Sequence, residues 1–425
     1  MYAVKPVNKK REKKNQRTRR VLALVGDTQV GLWVVRSLAR NGITVHSIVK
    51  SEFGQPAHSR YSSSAWVMES PTRSPEFIDE IERLVKLLDV GSIMPVAETY
   101  HDVLINARHR FEPGIHLFSP SRECFDKATD KDYMQTLCRK LDIPVAKGMR
   151  LDQYMTNMDA LQFPLVFRTR RQNIVGGQAP WKAAYAETKD QLQNVYEQVK
   201  AYADNIIVQE YYPGAEDHVQ VLMYKGEPFM VGDYIGEHHM PLAGGVTTQR
   251  VSCHHESLVS NAVKLFKAIG YEGLGGVQYH YDPETGKYIF LEINPRFIGG
   301  TPTLIMAGFE TSFLFWQSHF EPEKMRRAEY KLGLRSRILG GDANWMIGMI
   351  RGDQLPPGQK RLGKLETILR FLWNCGPWTK DDSFLWKDPK PFFVDFIQMA
   401  RKLGAQGHDI IGNPESQNSK EDKAS

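Results

Sequence analysis

The stretch from Gly276 to Phe297 constrains the fold more than any other part of the chain. Two strand-like runs, Gly276–Tyr281 and Lys287–Ile293, are joined by Asp-Pro-Glu-Thr-Gly, a turn sequence that folds one run back on the other. Side chains alternate along a strand, so Glu292 and Asn294 share one face and Leu291 and Ile293 take the other, apolar one. The turn sets the register and puts Gln278 opposite Glu292 to within about one residue. Three oxygen-bearing side chains thus converge on one sheet face. A small number of carboxylates suits magnesium, which keeps waters and takes further oxygens from phosphates, better than an all-protein calcium cage. Arg296 follows the strand, where it can reach a phosphate or a developing negative charge. Taken alone, the hairpin is also compatible with an ordinary surface strand.

The N-terminal part has a different pattern. Val21–Val25 reads as a buried strand, Gly26 to Gly31 as a turn, and Leu32–Arg40 as a helix stopped by Gly42. Ile43–Val49 is a second strand, Phe77–Leu88 a helix and Ser92–Val96 a further strand, a βαβ opening with parallel strands. Residues 21–120 are therefore expected to form a small doubly wound domain, with Glu98 and Thr99 at a strand end. Gly26 and Gly31 lack the middle glycine of a dinucleotide fingerprint, and Lys50 and Ser51 stand where it needs an acid. No Lys-Ser/Thr follows Gly31, so a P-loop also fails.

The remaining chain reads as a helix over residues 125–142, a strand Phe163–Phe167, a basic loop over 168–182 and a helix Asp190–Tyr202. Strands are expected at Ile206–Gln209, 218–224 and 228–235, then a long loop over 236–250 and a helix Ser257–Ile269. Residues 330–400 are aromatic-rich and read as helical. The formal charge of +6 belongs to the start of the chain: residues 1–20 hold nine Lys or Arg against one Glu, +8, which leaves −2 for the rest. Contact with nucleic acid or an anionic membrane is confined to that tail, whose plainer reading is a solvated extension. No apolar run approaches the roughly 18 residues of a membrane span. No secretory signal is recognisable, and the four cysteines show no paired or zinc-ligand spacing, which leads us to expect a cytoplasmic protein with reduced thiols. Cys253, beside His254 and His255, is expected in a solvent-facing loop.

The order of these motifs, above all FLEINPRF with GVQYHYD upstream, resembles the ATP-grasp superfamily and most closely its carboxylate–amine ligases, over roughly residues 21–315. The resemblance implies an α/β protein: an α+β ATP-grasp domain at 121–315 with a lid over about 150–210, preceded by the doubly wound domain at 21–120. It is flanked by basic and polar tails at 1–20 and 411–425, with a helical region at 316–410. It implies that Glu292, Asn294 and Gln278 hold two magnesium ions, although the upstream ligand is commonly acidic. It places phosphate-binding cations at Lys127 and at Arg168, where the family more often has lysine. Gly176, Gly177 and Lys182 become a phosphate-cradling loop. Glu210, Tyr211 and Tyr212 become the adenine contacts and Glu216 the ribose ligand, with Asp217 as its fallback. Arg250 becomes a carboxylate contact, Arg296 a stabiliser of the transferring phosphoryl group, and His238 and His239 substrate-loop residues. The implied activity uses ATP and magnesium to join a carboxylate to an amine, with small molecules such as amino acids as substrates and a dimer as a possible assembly. Phosphoryl transfer to a hydroxyl, an inactive nucleotide binder and an NAD-dependent oxidoreductase remain the rival readings.

Overall fold

The structure, a computed structural model, describes residues 3–4, 17–170 and 183–399. Its first sheet contains β1 (Ala3–Val4), β2 (Arg20–Leu24), β3 (Thr44–Val49), β4 (Ser64–Val67), β5 (Ser92–Pro95) and β6 (His116–Leu117). Their spatial order is β1-β4-β3-β2-β5-β6. β2 to β6 are parallel, and β1 runs against β4. Val21 and Ala23 enter one apolar cluster while Leu22 and Leu24 enter another. A strand covered on both faces needs such an unbroken apolar run. The strand order reverses between β2 and β5, the place where open α/β sheets receive ligands. Thr28 caps the following helix, Gln29–Arg40, by accepting from Gly31 N at 3.0 Å. A Cβ on Gly31 would run into the Val25 carbonyl, so the helix can start this close to β2 only with glycine there. Arg17 to Arg20, expected in the tail, already belong to this domain: Arg20 opens β2 and pairs with Asp89, and Arg17 pairs with Glu112.

A second, antiparallel sheet contains β7 (Gly148–Arg150), β8 (Leu165–Thr169), β9 (Ala183–Ala186) and β10 (Ile206–Glu210), ordered β7-β10-β8-β9. The helix Leu192–Val199 packs on it through Leu192, Val195 and Val199. The third sheet contains β11 (Ala215–Tyr224), β12 (Glu227–Met240), β13 (Val246–Cys253), β14 (Gly273–Tyr281), β15 (Tyr288–Asn294), β16 (Arg335–Arg337) and β17 (Thr379–Asp381). It is ordered β15-β14-β11-β12-β13-β16-β17 and is antiparallel except for β16 with β17. The helix Glu256–Ala268 covers one face, where Leu258, Leu265 and Phe266 meet Val219, Val221 and Val277. The protein is thus a mixed α/β molecule of one parallel-type and two antiparallel sheets.

Three expected elements differ. Residues 236–250 are largely strand, the end of β12 and most of β13, joined across 241–245. Residues 125–142 hold two helices, Arg122–Thr129 and Lys131–Lys140, because Asp130 leaves the helical conformation and caps the second by accepting from Asp132 N and Tyr133 N. The C-terminal region is helical at Leu339–Arg351, Lys364–Trp373 and 390–399, but it also adds β16 and β17 to the sheet. Among the described residues no helix is long and apolar enough to cross a membrane.

Candidate active site

β14 and β15 pair with Gln278 opposite Glu292 and Gly276 opposite Asn294, the register expected from the turn. Gln278, Glu292 and Asn294 face a cavity of about 410 Å³ whose walls also include residues of the second sheet. The pairing shifts by one residue between Gln278 and Tyr279, a bulge at Leu291. Strict alternation therefore fails there: Leu291, expected on the apolar face, lines the same cavity as Glu292. Val166, Ile289 and Leu291 give that cavity apolar wall.

Glu292 is held by two cations. Lys131 Nζ stands 3.0 Å from its Oε2 and Arg168 Nη2 donates to the same oxygen at 3.4 Å. Burial alone would raise the Glu292 carboxyl, but Lys131, Arg168 and Arg296 outweigh it and hold the group down at about 2. A carboxylate depressed in this way stabilises the fold above its unfolded pKa, near about 4.3, and that stabilisation is lost as pH falls through about 2. Acid unfolding followed by circular dichroism should therefore be less steep between about pH 4 and 2 in Glu292→Gln than in the parent. Burial likewise lowers the Lys131 ammonium, with Glu292 opposing.

Lys131 is a correction to the sequence reading. Lys127, expected to bind phosphate, sits on the helix Arg122–Thr129 and pairs with exposed Glu123 at 2.6 Å, outside the cavity. Four positions further on, Lys131 is the first residue of the next helix, 7% exposed, and enters the cavity. Asp-Lys occurs at both 126–127 and 130–131. The available signal was Asp130 as a helix cap, which selects the second pair.

Arg250 is a second correction. Its side chain is 0% exposed and lies outside the cavity wall. It pairs with Asp382 at 2.9 Å and donates to Gly299 O at 2.9 Å and Thr247 O at 3.2 Å. It fastens the segment after β17 and the Gly299 turn to β13, which is a structural task. Removing one partner of a buried pair strands the other charge, so Arg250→Ala should cost about 3 kcal/mol or more in stability, read from urea unfolding. A variant as stable as the parent would contradict this role.

The other expected contacts divide. Arg168, on β8, and Arg296, after β15, both line the cavity. Glu210 ends β10 and lines it too, while its Oε1 accepts from Gln162 N at 3.0 Å. The Tyr211 N–H, expected to read a base edge, is already donated to Pro164 O at 2.8 Å. The Tyr212 carbonyl accepts from His280 Nδ1 at 2.8 Å. Glu216 lies between His218 Nε2 at 3.4 Å and His239 Nε2 at 3.5 Å. Burial raises its carboxyl, but the two imidazoles hold it well below the usual range. His238 stacks on Trp345 and engages Asp342 at 2.5 Å. Gly176, Gly177 and Lys182 lie outside the described residues. Glu98, at the start of the helix Glu98–Asn106 after β5, shares a small recess with Lys131, Glu292 and Asn294. Burial pushes its carboxyl up, against the pull of Arg296. A larger cavity of about 1250 Å³ adjoins the first and shares Tyr185, Tyr211, Glu216, Gly244 and His280 with it. Trp345, Met349, Leu369 and Trp373 supply its apolar wall.

A family model described as ATP-grasp in the biosynthetic pathway with Ter operon matches residues 203–339. The putative urea carboxylase of Emericella nidulans is 21% identical over 65% of this chain and 24% of its own length. The chain thus spans about a quarter of that relative. It spans 57% of a pyruvate carboxylase subunit of Methanothermobacter thermautotrophicus, which is 23% identical over 63% of this chain. Among solved structures, the biotin carboxylase domain of Hydrogenobacter thermophilus 2-oxoglutarate carboxylase, in complex with MgADP, ADP and bicarbonate, superposes with a TM-score of 0.59 at 17% identity, covering 75% of this chain and 73% of that one. The ADP complex of N5-carboxyaminoimidazole ribonucleotide synthetase gives 0.58 at 13% identity, covering 84% and 97%. The chain shares the fold of these two solved structures.

Proposed function

We propose that the protein is an ADP-forming ligase that activates a carboxylate with ATP and joins it to an amine. The observation that carries this reading is the convergence of Glu292, Asn294 and Gln278 with Lys131, Arg168 and Arg296 in one cavity between two sheets. Val166, Ile289 and Leu291 offer apolar surface for a purine ring, and Glu216 is the ribose contact. The cations lie at the other task, binding phosphate.

One carboxylate and two side-chain amide oxygens fit magnesium, whose remaining ligands are waters and phosphates. Glu292, Asn294 and Gln278 are the residues that would hold it, as two ions, and it would supply charge neutralisation. The chain's own groups do the rest. Lys131, Arg168 and Arg296 align the triphosphate and neutralise the phosphoryl group in flight, so catalysis is mostly positioning. A carboxylate oxygen attacks the γ-phosphorus, the bond to the ADP oxygen breaks, and an acyl phosphate forms. The amine nitrogen then attacks the acyl carbon. Phosphate leaves with the C–O electron pair, and the nitrogen loses a proton. The adjoining large cavity, apolar and aromatic, is the place for the body of one substrate.

Heavy-oxygen labelling tests the order of bonds. A labelled carboxylate should pass one label to the released phosphate for each amide formed. Label that stays wholly in the organic product would contradict the acyl phosphate.

A further inference from the structure

Along β11, Glu216 and His218 face the ATP cavity, so Asp217 between them faces the other way, beneath the helix Glu256–Ala268. The ladder places three more groups beside it. Asp233 on β12 pairs in register with Cys253 at the end of β13, and His255 caps the start of the helix. Cys253, expected in a solvent-facing loop, instead closes a strand over two buried acids. His255 Nδ1 lies 2.7 Å from Asp217 Oδ2 and 3.7 Å from Asp233 Oδ2. Cys253 Sγ lies 3.4 Å from Asp233 Oδ1 and 3.8 Å from Asp217 Oδ2. One ligand atom from each of the four residues lies within 4.8 Å of all the others.

This grouping is poorly neutralised. Both carboxylates are 0% exposed, and among the described residues no hydrogen bond is made by Asp217 Oδ1. Among the described residues, the one ion-pair partner of either acid is His255. Two buried acids and a thiol in contact need either shared protons or a cation.

The geometry points to a structural metal site for a zinc-like divalent ion, bound by Asp217, Asp233, Cys253 and His255 on the sheet face opposite the ATP cavity. Carboxylate oxygen, thiolate sulfur and imidazole nitrogen are all zinc ligands, and thiolate and imidazole select against magnesium. A tetrahedral ion with bonds of about 2.0–2.3 Å separates its ligand atoms by roughly 3.3–3.8 Å, and with the acids ligating through Asp217 Oδ2 and Asp233 Oδ1 the two Cys253 contacts, 3.8 and 3.4 Å, fall in that range. The 2.7 Å hydrogen bond between His255 and Asp217 opens when the metal replaces its proton. Bound there, the ion would tie β11, β12 and β13 to the first turn of the helix behind them. This site is independent of the ligase reading.

The test uses the full chain, stripped with a chelator and titrated first with zinc against a chromophoric competitor, then with cobalt(II) as the spectroscopic probe. The expected result is one zinc per chain. Cobalt should give intense tetrahedral ligand-field bands and a near-ultraviolet thiolate-to-cobalt charge-transfer band. Cys253→Ser should abolish the charge-transfer band and weaken zinc binding at least about tenfold, in the range lost when a metal's supporting groups are removed. Glu292→Gln should leave the cobalt spectrum unaltered. Should Cys253→Ser not fold, by circular dichroism, His255→Gln at the partly exposed edge makes the same affinity comparison. No stoichiometric zinc uptake, or a cobalt spectrum indifferent to Cys253→Ser, would overturn the proposal and leave the acids as a proton-sharing pair.

Discussion

Replacing Glu292 by alanine should lower ADP release by about a thousandfold or more while the protein stays folded. Removing one preorganised group from a phosphoryl or acyl transfer site typically costs about a hundredfold to a thousandfold. Glu292 stands at the upper end because it has two tasks. It is the carboxylate among the three oxygen-bearing side chains of the hairpin face, and it is the anion against which Lys131 and Arg168 are set, at 3.0 and 3.4 Å. Without it the proposed magnesium ligands are reduced to two neutral amides, and the two cations lose the group that fixes them. Calorimetry should then show ATP binding that no longer responds to magnesium. Circular dichroism should be unchanged, since Phe290 and Ile293, which anchor β15 in the core, are untouched. Turnover within tenfold of the parent would remove Glu292 from the chemistry.

Lys131→Ala should lower ADP release by about a hundredfold to a thousandfold, and Lys127→Ala should leave it within about twofold of the parent. The two lysines are four positions apart and chemically identical, so the contrast isolates position. Lys131 is buried against Glu292, whereas Lys127 is partly exposed and pairs with exposed Glu123. A surface pair of that kind contributes little to stability, so the Lys127 variant is also a control for folding. Equal losses in both variants, or the reverse order, would show that the cavity around Glu292 is not where phosphate binds.

The hairpin was legible because two local rules fix it. Strand alternation assigns the faces, and turn length assigns the register that pairs Gln278 with Glu292. The parallel opening was legible for a similar reason, since Val21–Val25 is apolar on both faces. What escaped depends on breaks in period or on distant partners. Residues 236–250 look like a loop because the β12–β13 pairing shifts at Gly236/His238 and again at His238/His239, which scrambles the alternation of two real strands. The bulge at Leu291 hid a cavity wall in the same way. Lys131 escaped because the polar, Lys-rich run over 125–142 reads as one helix, whereas the backbone breaks at Asp130. Arg250 is separated from Asp382 by 132 positions in the chain, and no local pattern announces that pair. Cys253 and His255 join Asp217 and Asp233 only through the ladder of three strands, which no spacing of cysteines and histidines displays.

The most direct test of the central claim is a trapping assay. The protein is incubated with ATP, magnesium, hydroxylamine and pools of small carboxylic acids, amino acids included, and ADP and hydroxamate are measured together. An acyl phosphate is captured by hydroxylamine, so the ligase reading predicts a pool in which hydroxamate and ADP appear in equal amounts. Both should disappear in Glu292→Ala. ADP release with the phosphate transferred to a hydroxyl and no hydroxamate, or ATP held without turnover in every pool, would contradict the account.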